Sequence, residues 1–146
     1  MKSILLSIAL LVSNLSYAVD QQLYKQHGEY KVFYSAFNSS FIDPDIAVAN
    51  DIVRGKDKGL VNIAVAKVPG VALPAVVSGT VSNIIQQSQT LEFVAVREQN
   101  TVYYLAPFEF DNEDFLTFKI RVVPQSDGPE TVYPYDFKFQ KKMYVD

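Results

Sequence analysis

The sequence predicts an all-β protein: an antiparallel β-sandwich, immunoglobulin-like in architecture, with about seven strands. Short apolar runs rich in β-branched and aromatic residues are separated by turn residues about every 8–14 positions. Apolar and polar residues alternate within several runs, which is typical of antiparallel strands with one buried and one solvated face. Helical signals are confined to one short stretch near residues 44–50. A small closed barrel is the alternative architecture.

The first half of the chain contains the helix signal. Glu29–Phe37 is an extended apolar run. Asp43 can cap a short helix whose first residue is Pro44, because a proline there loses no needed N–H. Leu60–Val68 is the next predicted strand, and the turn signal Pro69-Gly70 ends it.

The long run Ala72–Ile85 contains Pro74, which cannot donate a ladder hydrogen bond. We therefore expect an edge strand or a break at this point. Our first hypothesis is that the run is an edge strand and that Val76 and Val77 form part of a surface that captures a partner protein.

Four further strands are predicted in the second half. Leu91–Glu98 and Thr101–Phe110 flank the tight connection Gln99-Asn100, which indicates a hairpin. The other two are Phe115–Val123 and Thr131–Gln140, in which alternation is clearest over Leu116–Val122 and Tyr133–Gln140. In Thr101–Phe110 one face is wholly apolar, which is what a sandwich core requires. That face comprises Val102, Tyr104, Ala106, Phe108 and Phe110.

The N-terminus predicts a cleavable signal peptide over residues 1–18, followed by a single β-sandwich domain over residues 19–146. Lys2 precedes an apolar run of about nine residues, which is far shorter than the roughly 20 that a membrane span needs. Ser16 and Ala18 occupy the small-residue positions of the cleavage site. We therefore expect a periplasmic protein that is not inserted in the membrane after cleavage. It has no cysteine and must be stabilised by its apolar core.

Several function classes are disfavoured by composition. The formal net charge is −3, or −4 without the lysine of the signal peptide, and no basic stripe suggests nucleic-acid binding. The single histidine, His27, lies near the mature N-terminus, and there is no thiol nucleophile, Gly-rich phosphate loop or G-x-S-x-G motif. We expect no enzymatic activity, no cofactor and no zinc site.

Five residues are the candidate binding residues. Polar side chains that interrupt or end apolar strands must find hydrogen bonds, either within the fold or with a ligand. Tyr103 lies on the mixed face of its strand and is a candidate surface contact. The set is Asn38, Arg54, Asn62, Arg97 and Tyr103.

The acidic turn Asp111–Asp114 carries four oxygen-bearing side chains. It could hold calcium, which prefers six to eight oxygen ligands, but it lacks the spacing of a known calcium loop. Asp and Asn are also ordinary turn formers, so a solvated turn is the simpler interpretation.

Four segments resemble a family of small exported proteobacterial proteins classified as a domain of unknown function. The resemblance covers nearly all of the mature chain, and it implies a Gram-negative envelope protein with an immunoglobulin-like sandwich and no assigned activity. The segments are YKVFYSAFNSSFIDPDIAVANDIVRGKDKGLVNIAV (Tyr30 to Val65), SGTVSN (Ser78 to Asn83), FVAVREQNTVYYLAPF (Phe93 to Phe108) and FKFQKKMYVD (Phe137 to Asp146).

Three functional hypotheses remain, and the least favoured is an unrecognised hydrolase with a compact cleft that joins carboxylates to Asn62 or Arg97. The first is a non-catalytic periplasmic protein-interaction module whose partner is another envelope protein. The alternative is a β-sandwich that binds a small ligand, or calcium through Asp111–Asp114. The sequence leaves the partner and the oligomeric state open.

Overall fold

A computed structural model describes residues 23–67, 71–125 and 132–145 of the chain. In these ranges the chain forms two antiparallel sheets and one short helix, so the predicted antiparallel β-sandwich is confirmed. The strands are β1 Tyr24–His27, β2 Tyr30–Asn38, β3 Lys58–Lys67, β4 Val71–Ala72, β5 Ala75–Ser82, β6 Ser88–Leu91, β7 Val94–Glu98, β8 Thr101–Glu109, β9 Asp114–Pro124 and β10 Tyr135–Met143; the helix α1 is Pro44–Ala49 and follows a 3-10 turn, Ser39–Phe41.

The two sheets differ in size. Sheet A has the strand order β1-β2-β3-β8-β7, and β4 also pairs with β3. Sheet B has the order β10-β9-β5-β6. The described strands number ten rather than about seven, because β1, β4 and β6 are short or polar and give no apolar run. The tight turn between β1 and β2 is made at Gly28, whose φ of +61° is accessible to glycine at little cost.

The predicted break at Pro74 is confirmed, whereas the prediction that Ala72–Ile85 is one edge strand is wrong. The chain breaks at Leu73-Pro74 and changes sheets: β4 pairs with β3 in sheet A, whereas β5 lies between β9 and β6 in sheet B. The register gives only Ala75–Ser78 a single neighbour, β9. The proline therefore marks a sheet change, since it ends the ladder with β3.

The main core lies between the sheets and contains the apolar face predicted for β8. Phe118 of β9 has no solvent exposure; its ring is edge-on to Phe108 at 5.2 Å and stacks on Phe139 at 4.7 Å. Burial of each such ring contributes about 2–3 kcal/mol. Gly59 lets the Phe108 ring approach, because a Cβ there would lie 2.3 Å from it.

A second, smaller apolar layer covers part of the outer face of sheet A. Leu60 and Leu105 point away from the main core and are buried under α1 and the loop after it, against Ala47 and Ile52. β3 is consequently buried on both faces along part of its length, whereas β9 shows the predicted alternation of buried and exposed positions.

The helix forms where the sequence predicts it. The carboxylate of Asp43 accepts a hydrogen bond from the backbone N–H of Asp45 at 2.8 Å, and Pro44 is the first helical residue.

The predicted signal peptide and the turn at Pro69-Gly70 lie outside the described residues. Within the described ranges, no helix is both long and apolar enough to cross a membrane.

Candidate functional site

A concave surface lies on the outer face of sheet A, where β3 changes its neighbour. The register of β8 along β3 ends at the pair Ile63 and Tyr104, and β4 begins to pair with β3 at Ala66. The resulting gap opens a cavity of about 360 Å³, which we call the alanine cavity because small side chains form much of its floor. Its lining residues are Leu23, Phe33, Tyr34, Ser35, Asn62, Ala64, Val65, Ala66, Ala72, Thr101 and Tyr103.

A second cavity of about 240 Å³ lies on the same face, beside the 3-10 turn, and we call it the turn cavity. Asn62 and Tyr103 line both cavities, so the two cavities adjoin at these residues, and we refer to them together as the groove. The turn cavity is lined by Phe37, Phe41, Ile42, Asp43, Ile46, Asn62, Val96, Glu98, Tyr103 and Leu105.

Asn62 is the exceptional polar residue of this groove. It lies opposite Ser35 of β2 and Leu105 of β8. Its Oδ1 atom is buried and has no hydrogen-bond partner among the described residues. An unsatisfied buried acceptor costs about 1–3 kcal/mol, and a ligand would recover this energy by donating a hydrogen bond once the side chain turns Oδ1 toward the groove.

Tyr103 lines the same cavity as Asn62. It is partly exposed and lies on the mixed face of β8, as predicted. Its ring belongs to the wall of both cavities. The structure thus brings together two of the five predicted binding residues, although 41 positions separate them in the chain.

Asn38 and Arg54 instead hold the chain around the 3-10 turn. The buried Asn38 side chain donates to the carbonyl oxygen of Tyr144 at 3.0 Å. Arg54 donates to the carbonyl oxygens of Ser39 and Ser40 at 3.4 and 3.0 Å. Both side chains therefore stabilise the fold by donating hydrogen bonds to backbone carbonyl oxygens.

Arg97 lies apart from the other candidates. It is exposed on the edge strand β7 and pairs in register with Val102, a core-facing position of β8. Since side chains alternate along a strand, Arg97 projects from the face opposite to that of Asn62 and Tyr103.

The acidic turn is organised by its own hydrogen bonds. Asp114 Oδ2 accepts from the N–H of Asp111 at 2.8 Å, and Asn112 Oδ1 accepts from the N–H of Val145 at 2.9 Å. Glu113 adopts a left-handed conformation with φ of 66°. Two of the four candidate oxygen ligands therefore already accept backbone donors. Calcium binding at this turn stays a prediction.

No cluster of three or more His, Cys, Asp or Glu side chains able to hold a metal occurs in the part of the chain that the structure describes. His27 stacks on Tyr135 with ring centroids 4.5 Å apart, which gives it a packing role at the sandwich edge.

The outer face of sheet B is charged and open. Arg121 forms a two-point ion pair with Asp136 at 2.7 and 3.0 Å, which lowers the pKa of the Asp136 carboxyl and raises that of the Arg121 guanidinium. Lys119 and Lys138 stand directly opposite each other across β9 and β10, and neither forms an ion pair with a described carboxylate.

The predicted set omitted the residues that give the groove its shape. Phe33 and Phe41 provide aromatic walls, Ser35 and Ala64 provide the small floor, and Glu98 provides a carboxylate at one end. The alternation of small residues in NIAVA was a usable signal, because Asn62, Ala64 and Ala66 must share one face of β3.

The chain is thus an antiparallel β-sandwich domain with a groove on the outer face of one sheet. The family model for DUF4426, a domain of unknown function, matches residues 24–146. The chain therefore belongs to the DUF4426 family, and the predicted family resemblance is confirmed.

The solved structures agree with this membership. A DUF4426 family protein from Pseudomonas aeruginosa is similar to this chain with 29% identity and a TM-score of 0.75, over 85% of this chain and 95% of that protein. FetP of a uropathogenic Escherichia coli, recombinantly expressed in the periplasm, is similar at 14% identity with a TM-score of 0.58, over 84% of this chain and 93% of FetP. A copper-bound variant of FetP gives 14% identity and a TM-score of 0.61, over 84% and 95%. The likeness to FetP concerns the fold alone. No curated protein matches the chain.

Proposed function

We propose that this protein is an exported, non-catalytic interaction module that holds an extended polypeptide segment of an envelope partner in the groove of sheet A. One observation carries the proposal: Oδ1 of Asn62 is buried in the groove wall and has no hydrogen-bond donor in the described fold.

A polypeptide backbone fits the chemistry of Asn62. The asparagine side chain offers one carbonyl acceptor and an NH₂ donor. A peptide group offers the complementary N–H and C=O pair, so a single peptide unit of a bound segment can satisfy the Asn62 amide on both sides. Small residues on the floor and the rings of Phe33 and Tyr103 leave space for apolar side chains on either side of that unit.

Export is supported by the N-terminal sequence. Lys2, the following apolar run and Ala18 have the pattern of a cleaved signal peptide. We place the protein in the periplasm on this basis. Expression of the similarly folded FetP in the periplasm is compatible with such a location.

Copper binding is not part of the proposal. FetP, one variant of which was solved with copper, shares only 14% identity with this chain. In the described ranges no group of three or more His, Cys, Asp or Glu side chains is placed to hold a metal, and we do not carry copper binding over to this chain.

The experiment is site-specific photo-crosslinking in periplasm. The photoreactive amino acid p-benzoylphenylalanine replaces Tyr103 in one variant and Thr80, on the outer face of sheet B, in the control. We expect one reproducible protein adduct from position 103 that is absent from position 80, and whose crosslinked peptide maps to a single extended segment. Adducts of equal yield from both positions, or none from position 103 in folded protein, would contradict the proposal.

A further inference from the structure

We propose that the turn cavity receives a cationic side chain, that of an arginine or lysine, from the polypeptide bound in the groove. This inference rests on the proposed function and specifies which residue type the groove selects at one end.

The lining of the turn cavity combines aromatic rings with carboxylates. Phe41 and Tyr103 supply rings, and Asp43 and Glu98 supply negative charge. Aromatic faces attract cations, and the attraction grows when both partners lose water. The combination distinguishes this cavity from the alanine cavity, whose described lining has no carboxylate.

Neither carboxylate is neutralised within the fold. The ion pairs of the described residues are Lys58 with Glu109, Lys67 with Glu29, and Arg121 with Asp136. Asp43 uses one oxygen to cap α1. A carboxylate has capacity for several hydrogen bonds, so its remaining positions can accept from a guanidinium or ammonium group.

The basic residues near these elements are engaged elsewhere. Arg54 donates its guanidinium hydrogens to the carbonyl oxygens of Ser39 and Ser40. Arg97, although adjacent to Glu98 in the chain, projects from the other face of β7. Neither arginine forms an ion pair with Asp43 or Glu98 among the described residues, so both carboxylates are available to an external cation.

The shape of the cavity suits a long side chain with a charged end. Leu105, Val96 and Ile42 supply apolar surface for an aliphatic stem. Lysine and arginine cover such surface with their methylene groups while the charged head stays at the polar end. The volume of about 240 Å³ is sufficient for one such side chain and too small for a folded element.

Asn62 connects this cavity to the backbone-binding part of the groove. Since it lines both cavities, a peptide unit held by its amide would lie where the two cavities adjoin. The groove would thus select a cationic residue close to the peptide unit that Asn62 holds.

The test is a titration of the ¹⁵N-labelled exported protein, followed by NMR, with two isosteric probes. N-acetylarginine amide carries the cation, and N-acetylcitrulline amide has the same shape without charge. We expect the arginine probe to shift the amide signals of Val96, Glu98 and Tyr103 and to half-saturate at about tenfold lower concentration than citrulline. The preference should disappear in a double variant, Asp43→Asn with Glu98→Gln, and persist in Glu92→Gln, an exposed carboxylate outside the cavity.

Equal half-saturation by both probes, or a preference that survives in the double variant, would overturn the cation site. The polypeptide-binding proposal would then still depend on crosslinking from position 103. Absence of that crosslink in folded protein would overturn both proposals. Asn and Gln keep the size of the replaced side chains, and Asn can still cap α1, so we expect the double variant to fold. Its ¹⁵N spectrum verifies this.

Discussion

The two outer faces of the sandwich differ in how much of their surface is apolar and buried. The outer face of sheet A bears a second apolar layer, formed by residues such as Leu60 and Leu105 under α1, and beside it the groove with Asn62. The outer face of sheet B bears the row Thr80, Lys119 and Lys138, in which Thr80 is partly exposed and both lysines are exposed. The solvated face of sheet B carries polar side chains that hydrogen-bond to water. On sheet A, by contrast, the Oδ1 atom of Asn62 is buried without a hydrogen-bond partner among the described residues. This difference points to sheet A as the binding side.

The largest effect should come from the covered half of sheet A. Leu60→Ala removes a fully buried side chain from beneath α1, and we expect a loss of about 2–5 kcal/mol in the free energy of unfolding. Lys119→Ala on the exposed face of sheet B should change it by less than about 0.5 kcal/mol. Urea denaturation measures both. Similar values for the two variants would mean that α1 does not cover a second core.

Ser39 should give the next largest effect. It has no solvent exposure, and its Oγ donates to the carbonyl oxygen of Gly55 at 3.1 Å and accepts from the Gly55 N–H at 2.9 Å. Ser39→Ala leaves both backbone groups without this partner, so we expect a loss of about 1–3 kcal/mol. Ser78→Ala, at an exposed position of β5, is the matched control. A Ser39→Ala variant as stable as the control would refute the role of Ser39 as the anchor of this loop.

A smaller effect of opposite sign is expected on sheet B. Lys119 and Lys138 face each other with like charge, which destabilises a strand pair. Lys138→Glu should raise the stability by about 0.2–1 kcal/mol at low salt, and the gain should shrink in 1 M NaCl. The control variant Lys138→Gln removes the repulsion between Lys119 and Lys138 without adding a negative charge, so the difference between the Glu and Gln variants measures the new attraction to Lys119. A gain that does not depend on salt would show that charge is not its cause.

The smallest effect concerns acid stability. Arg121 lowers the pKa of Asp136 in the folded state below its ordinary value of 3.8. The contribution of Asp136 is therefore present above about pH 4 and is lost as the pH falls through the lowered folded-state value. Because the pair is exposed, the effect is small. Asp136→Asn should lower the stability at neutral pH slightly and flatten the acid limb of the stability curve by the same small amount. An unchanged slope would contradict the coupling.

Much of the fold follows from local sequence. The alternation around Phe118 gives β9 its buried face, and Asp43-Pro44 starts α1 where expected. The sheet change at Pro74 was not predictable in the same way, because a proline excludes a ladder bond without indicating which sheet the chain joins next. The second apolar layer was also missed, since the burial of Leu60 depends on a helix 11 residues earlier in the chain.

The candidate site was predictable only in part. Asn62 stood out as a polar residue within an apolar strand, and Tyr103 as an aromatic on a mixed face. Their proximity depends on the pairing of β3 with β8, and the groove depends on where that pairing ends. Asn38 and Arg54 carry the same type of sequence signal, yet their partners are backbone carbonyl oxygens of distant residues, which no local pattern specifies.

The central claim is that Asn62 is kept for binding at a cost in stability, and Asn62→Leu tests it most directly. The substitution removes the unsatisfied buried oxygen and keeps the branching of the side chain at Cγ. We predict that the free energy of unfolding in urea rises by about 1 kcal/mol while the protein adduct formed from position 103 is lost. A variant that is less stable and still forms the adduct would contradict the account, because Asn62 would then support the fold and not the partner.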